Sequence, residues 1–241
     1  MMKAGFCIGL WVALGLRAVV AGAAPAEGDG SGTLVAHMHE HYESVTQIQS
    51  AIIRGDLDAV REPAQWLAAH PAPAEMPEAW NPYLEAMRSA ARAAVEATDF
   101  TAAATATSQM ANACGNCHIA NNISDQFPWQ SKPEDEMGTL AHMQRHQWAA
   151  DRMWEGLIGP SEDAWYQGTT LLLEVSLSAG NLDTEDDSAH SISSMASRVH
   201  ELAANGKVEY EAVAKAKIYA EFLATCAECH ARLRQGSDPQ D

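Results

Sequence analysis

Two pentapeptides carry the residues of this chain that are best suited to chemistry. They are Cys114-Gly115-Asn116-Cys117-His118 and Cys226-Ala227-Glu228-Cys229-His230. Cysteines three residues apart share one face of a helical turn. The C-x-x-C-H pattern is the attachment signature of c-type haem, in which two thiols add across the vinyl groups and the histidine reaches the iron. The sequence therefore predicts two covalent haem c groups, attached through Cys114, Cys117, Cys226 and Cys229.

Other uses of paired cysteines agree less well with this spacing. Paired zinc knuckles usually lie about 15–20 residues apart, whereas about a hundred residues separate these two pairs. Redox dithiols accompany a βαβ pattern, and the chain shows no strand pattern. A disulfide within either pair would close a very small loop. None of these alternatives explains a histidine after both pairs.

Residues 1–24 have the features of a secretory signal peptide. Lys3 provides the positive start, an apolar run follows, and Ala21-Gly22-Ala23 is a small-residue cleavage site. We therefore expect a periplasmic or otherwise exported, soluble protein. The apolar run is too short and too broken to predict a membrane span, so no stable membrane insertion is expected after cleavage. Cys7 would be lost with the leader, which leaves only the four motif cysteines.

The chain is strongly acidic. Its 241 residues carry a formal net charge of −17 at pH 7. This charge argues against nucleic acid as a partner, because phosphate backbones bind basic surfaces. It favours redox protein partners with a basic docking surface, which the field would steer into contact. Plain solubility explains the charge equally well.

The chain after the leader reads as an internal duplication. Residues 34–41 match residues 139–146 at an offset of 105, with A-H-M-x-x-H in common, and the same offset carries Ile53 onto Ile158. Each copy opens with A-H-M-x-x-H and closes with C-x-x-C-H. We predict a first domain at 32–119, a linker at 120–138 that is rich in proline and acidic residues, and a second domain at 139–235.

Helical periodicity fills both copies. Leu34, Met38 and His41 step by four and three residues, which places them on one helix face. Three more helices are predicted before the first motif ends, and Pro63 is expected to kink or interrupt the second of the four. The second copy repeats this plan. Four helices with short loops form an antiparallel bundle, so we predict an all-α protein of two tandem four-helix bundles, each with a C-terminal haem site.

The placement of C-x-x-C-H near the end of the last of four helices resembles that in the class II c-type cytochromes, the cytochrome c prime group. Class I cytochromes c place the motif near the start. The resemblance covers most of residues 34–233 and rests on motif position and helix count. It implies that His118 and His230 are the proximal iron ligands. It also implies that the first helix faces the other side of the iron, which an apolar residue blocks in pentacoordinate members and a methionine fills in six-coordinate members.

Each first helix offers two residue types for that distal side. His41 and His146 lie on the predicted inward face, and so do Met38 and Met143, whereas the first histidine of each A-H-M-x-x-H lies to one side of it. A histidine that faces the core needs a hydrogen-bond partner or a metal. We therefore expect His41 and His146 to be the distal ligands, with Met38 and Met143 as the alternative. Methionine ligation would raise the redox potential.

These features predict an electron carrier. An iron with side chains on both axial positions has no open position for a substrate, and it exchanges single electrons. The sequence therefore predicts a periplasmic dihaem cytochrome that is not an enzyme. The alternative is a pentacoordinate protein that binds nitric oxide or carbon monoxide. A haem peroxidase is less well supported, since no acid–base pair accompanies an open site in the sequence.

Overall fold

The computed structural model describes residues 31–123, 127, 130–134, 138–174 and 191–235. Within these ranges the secondary structure is helical, with no strand, which confirms the predicted all-α class. The α-helices are α1 Ser31–Ile53, α2 Asp58–Ala69, α3 Asn81–Glu96, α4 Phe100–Ala120, α5 Thr139–Ile158, α6 Glu162–Glu174, α7 Ile192–Lys207 and α8 Ala212–Gln235. The predicted leader, residues 1–24, lies outside the described residues.

Local signals in the sequence account for several helix ends. Asp99 precedes α4, and its Oδ1 accepts a hydrogen bond from the Ala102 amide at 2.8 Å, as an N-cap does. Pro63 was expected to kink or interrupt a helix, but it lies inside the single helix α2. None of the described helices has the combination of length and hydropathy that a membrane-crossing segment requires.

The end of α1 depends on Gly55. Gly55 has a φ of 65°, its amide donates to Ile52 O at 2.7 Å, and the next amide, of Asp56, donates to Ala51 O at 2.9 Å. These paired bonds form a Schellman cap, which favours glycine in the left-handed conformation. A Cβ at this position would also lie only 2.7 Å from Ala227 O. Glycine therefore allows both the turn and the close approach of α1 to α8.

The helices of each repeat pack in chain order. α1 contacts α2, α2 contacts α3 and α3 contacts α4, and the second repeat follows the same order from α5 to α8. The first and last helices also touch, α1 with α4 and α5 with α8. These contacts are compatible with the predicted pair of bundles. The domain limits at 32–119 and 139–235 stay a prediction.

The two repeats share one hydrophobic core. α4 packs along α8, α4 also contacts α5, and α1 contacts α8. The core is continuous through both repeats and includes fully buried Ile48, Met110, Trp154 and Leu223. Each such side chain contributes about 1.5–3 kcal/mol through burial. Much of this apolar surface would be exposed if the repeats separated.

Directional bonds also join the repeats. The Gln49 side-chain amide on α1 donates to the Tyr219 hydroxyl at 2.9 Å, and this hydroxyl donates to Ala150 O on α5 at 3.0 Å. Trp154 Nε1 donates to Thr46 Oγ1 at 3.3 Å. Buried polar groups are costly without such partners, so these bonds favour one alignment of the repeats over others that bury the same apolar area.

Gly115, inside the first C-x-x-C-H, controls how closely α4 approaches α5. A Cβ at this position would lie 2.3 Å from Leu157 O, a backbone atom that cannot move aside cheaply. We expect Gly115→Ala to lower the free energy of unfolding by about 1–3 kcal/mol, as measured by urea denaturation. Gly32→Ala is the control because no atom lies within 4 Å of its Cβ position, and it should not lower stability. Equal stability of both variants would contradict the close approach of α4 and α5.

Candidate functional site

A cavity in the first repeat collects all its predicted site residues. This cavity, here cavity 1, has a volume of about 360 Å³ and lies between α1, α3 and α4. Its walls include Met38 and His41 from α1 and Cys114, Cys117 and His118 from α4. The A-H-M-x-x-H helix thus faces the C-x-x-C-H helix across one space.

The second repeat has a matching cavity. Cavity 2 has a volume of about 290 Å³ and lies between α5, α7 and α8. Met143 and His146 line it from α5, and Cys226, Cys229 and His230 line it from α8. The residues predicted from the second copy of each motif therefore also come together.

The two first helices line their cavities with equivalent positions. Residues 34, 35, 38, 39, 41, 42 and 45 line cavity 1, and residues 140, 143, 144, 146, 147 and 150, which correspond to all of these except residue 34, line cavity 2. At 100° per residue, Met38 and Met143 lie near the middle of the lining face. His41 and His146 lie at its edge. The methionines are therefore better centred on the cavities than the histidines.

The opposite repeat anchors each motif histidine. His118 Nδ1 is 2.8 Å from Ile158 O, and His230 Nδ1 bonds in the same way to Ile53 O. A carbonyl oxygen can only accept, so Nδ1 carries the proton and Nε2 the lone pair. This is the usual arrangement of a metal-ligating histidine whose other ring nitrogen is held by a backbone carbonyl. Ile158 and Ile53 end α5 and α1, where helix carbonyls lack intrahelical partners.

Several wall residues did not follow from the site motifs. Ile158 lines cavity 1 and Ile53 lines cavity 2, so each cavity is completed by the other repeat. Their equivalent positions in the duplication were the available signal. Phe127 also lines cavity 1, with its ring 5.6 Å from that of Tyr42. It lies in the predicted linker, which the sequence did not assign to any buried element because it lacks helical periodicity.

The environment of the thiols argues against redox dithiol chemistry. Burial raises the pKa of Cys226 to about 12, with the neighbouring Cys229 as a smaller cause. Burial also raises the pKa of Cys117. Redox-active cysteines depend on a lowered pKa that yields the thiolate at neutral pH. Raised pKa values are compatible with thiols that become thioethers.

Both first helices carry a pair of histidines one turn apart; His37, His41 and His142 are buried, and His146 is half-buried. The rings of His37 and His41 are 4.1 Å apart, and those of His142 and His146 are 4.3 Å apart. Nε2 of each is buried without a hydrogen-bond partner. His37 and His142 were expected to lie to one side of the inward face, yet both are buried. For His37 the reason is that α2 and the residue after it cover that side of α1.

Burial keeps these imidazoles neutral. It lowers the pKa of His41 to about 3 and that of His146 to about 3, with the surrounding histidines as smaller causes. Burial is also the largest cause of the lowered pKa values of His37 and His142. Neutral imidazole is the form that ligates metal ions, so the buried pairs are suited to coordination.

The residues present fit a haem group. Each cavity carries two thiols and an oriented imidazole on one wall and a thioether with an imidazole on the facing wall. Apolar side chains line much of the remaining surface, as a flat hydrophobic ligand requires. In cavity 1 these include Leu34, Val45, Leu84 and Met87.

The lowered pKa of His41 predicts destabilisation by acid. The folded protein binds fewer protons than the unfolded chain between the folded pKa of about 3 and the ordinary value of 6.5. The free energy of unfolding is therefore unaffected by His41 above pH 6.5, where the imidazole is neutral in both states. As the pH falls through this window, protonation of the unfolded chain lowers the free energy of unfolding by up to about 1.36 kcal/mol per pH unit. From pH 7 to pH 5 we expect His41 alone to remove about 2 kcal/mol. Urea denaturation at both pH values measures this loss.

Other buried groups also titrate between pH 5 and pH 7, so variants are needed to isolate the effect of His41. His146 acts in the same direction as His41, whereas the pKa values of Asp151 and Glu155 are raised by burial and act in the opposite direction. The loss of stability between pH 7 and pH 5 should therefore be smaller in His41→Phe than in the wild type. His39→Phe, at an exposed neighbouring position, should retain the full loss. The interpretation is wrong if His41→Phe loses as much stability as the wild type.

Comparisons with known proteins do not assign the chain to a family. No protein-family model, no curated protein and no solved structure matches it significantly. The resemblance to class II c-type cytochromes therefore depends on the chain's own motif positions and helix order. A functional assignment has to come from the two cavities.

Proposed function

We propose that this protein is a dihaem c-type cytochrome that carries single electrons. The observation that carries the proposal is the meeting, in two equivalent cavities, of each C-x-x-C-H with the A-H-M-x-x-H helix of its own repeat. In each cavity, residues that can ligate a metal face one another across an apolar space. This arrangement would suit a haem group. Bound haem supplies reversible one-electron chemistry at its iron.

Residues of α4 and α8, the last helix of each repeat, would attach and orient the two haem groups. Cys114 and Cys117 form the thioether links in cavity 1, and Cys226 and Cys229 form them in cavity 2. His118 and His230 are the proximal ligands. Their Nδ1 bonds to Ile158 O and Ile53 O hold each ring and direct Nε2 as the ligating atom. Hydrogen bonds of this kind raise the basicity of the ligand and fix its orientation.

We assign the distal positions to Met38 and Met143. The sequence favoured His41 and His146, but the methionines lie nearer the middle of each lining face. The His41 ring also packs against the His37 ring, with centroids 4.1 Å apart. This contact lies on the flank of α1, away from the middle of the face that lines cavity 1. A methionine ligand raises the redox potential relative to histidine, so a carrier of comparatively high potential is proposed.

Aromatic packing supports electron exchange between the two cavities. Tyr42 lines cavity 1 and Phe222 lines cavity 2. From Phe222, the ring centroid of Tyr219 is 5.8 Å away and that of Trp154 a further 5.7 Å, and Trp154 Nε1 donates to Thr46 Oγ1 on α1, the helix that carries Tyr42. A close-packed interior leaves little room for water. We propose that an electron delivered to one haem passes to the other within the molecule.

The charge and the leader support an exported carrier. A net charge of −17 suits docking to a redox partner with a basic surface. The signal-like residues 1–24 would direct the chain to the periplasm, where c-type haem attachment is proposed to occur.

Haem attachment is tested by mass. The full chain, matured in a periplasm with haem-ligation machinery, should gain the mass of two haem groups. The paired variant Cys114→Ser, Cys117→Ser should gain one, and so should Cys226→Ser, Cys229→Ser, because each removes both thioether links of one site. Cys7→Ser lies outside the motifs and is the control, with two groups expected. A colourless wild-type protein would overturn the proposed function.

Axial ligation is tested by spin state. We expect the oxidised wild-type protein to be low-spin at both irons in low-temperature paramagnetic resonance. Met38→Ala should convert about half of the signal to high spin and lower one midpoint potential, because one iron loses its thioether ligand. Met143→Ala should do the same at the other iron.

Histidine variants complete this test. His41→Ala and His146→Ala should keep both irons low-spin, and loss of low-spin signal in these variants would instead assign the distal position to histidine.

Added carbon monoxide should shift the reduced spectrum slowly and incompletely. A fast and full shift would favour the gas-binding alternative.

A further inference from the structure

Three histidines meet on the side of α1 next to cavity 1. His37 and His41 come from α1, and His70 directly follows α2. One ring nitrogen from each lies within 4.8 Å of the others, and His37 Nδ1 is 3.2 Å from His70 Nε2. Among the residues that the structure describes, this is the one group of three or more His, Cys, Asp or Glu donors spaced closely enough to hold a metal ion.

One edge of the cluster has the spacing of a tetrahedral transition-metal site. Histidine nitrogens bind Zn²⁺ at about 2.0–2.1 Å, which places two ligands of a tetrahedron about 3.3–3.4 Å apart. The pair at 3.2 Å already approximates one such edge. Imidazole donors favour zinc, copper and nickel over magnesium or calcium. Glu40 Oε2 is 3.3 Å from His70 Nε2 and offers an oxygen at the same place.

The cluster contains polar atoms that no protein group satisfies. His37 and His41 are 5% and 4% exposed, and Nε2 of each is buried without a hydrogen-bond partner. A buried polar nitrogen without a partner costs about 1–3 kcal/mol. The His37 nitrogen that lies 3.2 Å from His70 is Nδ1, so a metal ion there would replace the hydrogen bond of that pair and add a strong interaction to rings that are already desolvated.

Neighbouring residues hold the cluster in place. The Trp66 ring stacks on His70 at 4.0 Å and shields it from solvent. Arg88 Nη2 donates to His70 O at 2.7 Å and fixes the backbone at the end of α2. The positive charge of Arg88 is compensated by Glu85, at 3.0 Å. A cation at the three imidazoles would therefore not face an unpaired guanidinium.

We propose that His37, His41 and His70 bind one divalent transition-metal ion, with Zn²⁺ as the best fit and Glu40 or a water molecule as the fourth ligand. The ion would join α1 to the end of α2 and stiffen the wall of cavity 1. The proposal rests on the proposed function only in one respect: Met38, not His41, occupies the distal position of the iron. Zinc adds no redox step of its own.

Among the described residues, only the first repeat has such a cluster. His142 and His146 reproduce the histidine pair on α5, but the position that corresponds to His70 at the offset of 105 is Val175. Val175 lies outside the described residues, so the comparison here is one of sequence. The second repeat supplies a control, because its histidine pair has His200 of α7 in the neighbourhood but, among the described residues, no third donor within ligating distance.

The test is a zinc titration of the full-length protein carrying its haem groups. After removal of metals with a chelator, ZnCl₂ is titrated by calorimetry, and the bound zinc is examined by X-ray absorption. We expect one ion per chain with three imidazole ligands. His70→Ala should weaken binding on the order of 100-fold, because losing even an outer partner of a metal ligand costs 10–100-fold. His142→Ala and His39→Ala should leave the affinity within a few-fold of wild type.

Haem measurements separate this site from the proposed function. His70 does not line cavity 1, so His70→Ala should keep the haem mass and the spin state of the wild type. Absence of stoichiometric zinc binding overturns the metal site, as does equal weakening by His70→Ala and His142→Ala. In a chain that carries no haem, zinc binding that His70→Ala weakens would support the metal site while overturning the proposed function, because zinc held by the unmodified C-x-x-C thiols would not depend on His70. His37→Ala serves as the second variant and should weaken zinc binding as His70→Ala does.

Discussion

A reciprocal bond between the repeats is the constraint on which the sites depend. The motif histidine at the end of each last helix donates to the terminal carbonyl of the first helix in the other repeat, His118 to Ile158 and His230 to Ile53. A helix C-terminus carries unpaired carbonyls and a partial negative charge, so it suits an imidazole N–H. The bond sets the ring orientation in each cavity and joins the two repeats. Neither cavity has its complete wall, nor its histidine this anchor, in one repeat alone.

Small residues make this arrangement possible. Gly115 lies against the end of α5, and Gly55 lies against α8 beside the second motif. The two contacts are related by the duplication, because each brings the corner after a first helix onto a C-x-x-C-H helix. Larger residues at either position would separate the backbones and lengthen the histidine bonds. Packing density and the chemistry of the sites are therefore linked through the same few positions.

The buried histidines show how a duplicated framework can acquire different properties in its two halves. Both first helices carry a His pair, three of the four rings are buried and the fourth, His146, is half-buried, and desolvation lowers the pKa of all four. The protein interior tolerates such groups when they coordinate or are hydrogen-bonded. In the first repeat a third imidazole, His70, stands close to the pair. Its position has a valine in the second repeat, so similar backbones are proposed to carry unequal ligand sets.

Much of the fold and part of the site could be predicted from the sequence. Helical periodicity, the Asp99 cap and the repeated motifs have local causes, because they depend on residues within one or two turns of each other. They led to the all-α class and to ten of the residues that line the cavities. The expected interruption at Pro63 was wrong, because α2 continues through it, and the expected kink stays a prediction. The proline signal is local, whereas the surrounding packing of α2 against α1 and α3 also determines its course.

The sequence by itself determined the helices, the duplication and the chemical types at each site: thiols, imidazoles and thioethers at fixed spacings. Only the tertiary structure decided that the repeats interlock, that Ile53 and Ile158 anchor the histidines of the opposite repeat, and that His37 and His70 meet. The reason is physical. Periodicity reports which face of a helix is apolar, but contacts between residues more than a hundred positions apart arise from how whole helices pack, and no local pattern records them.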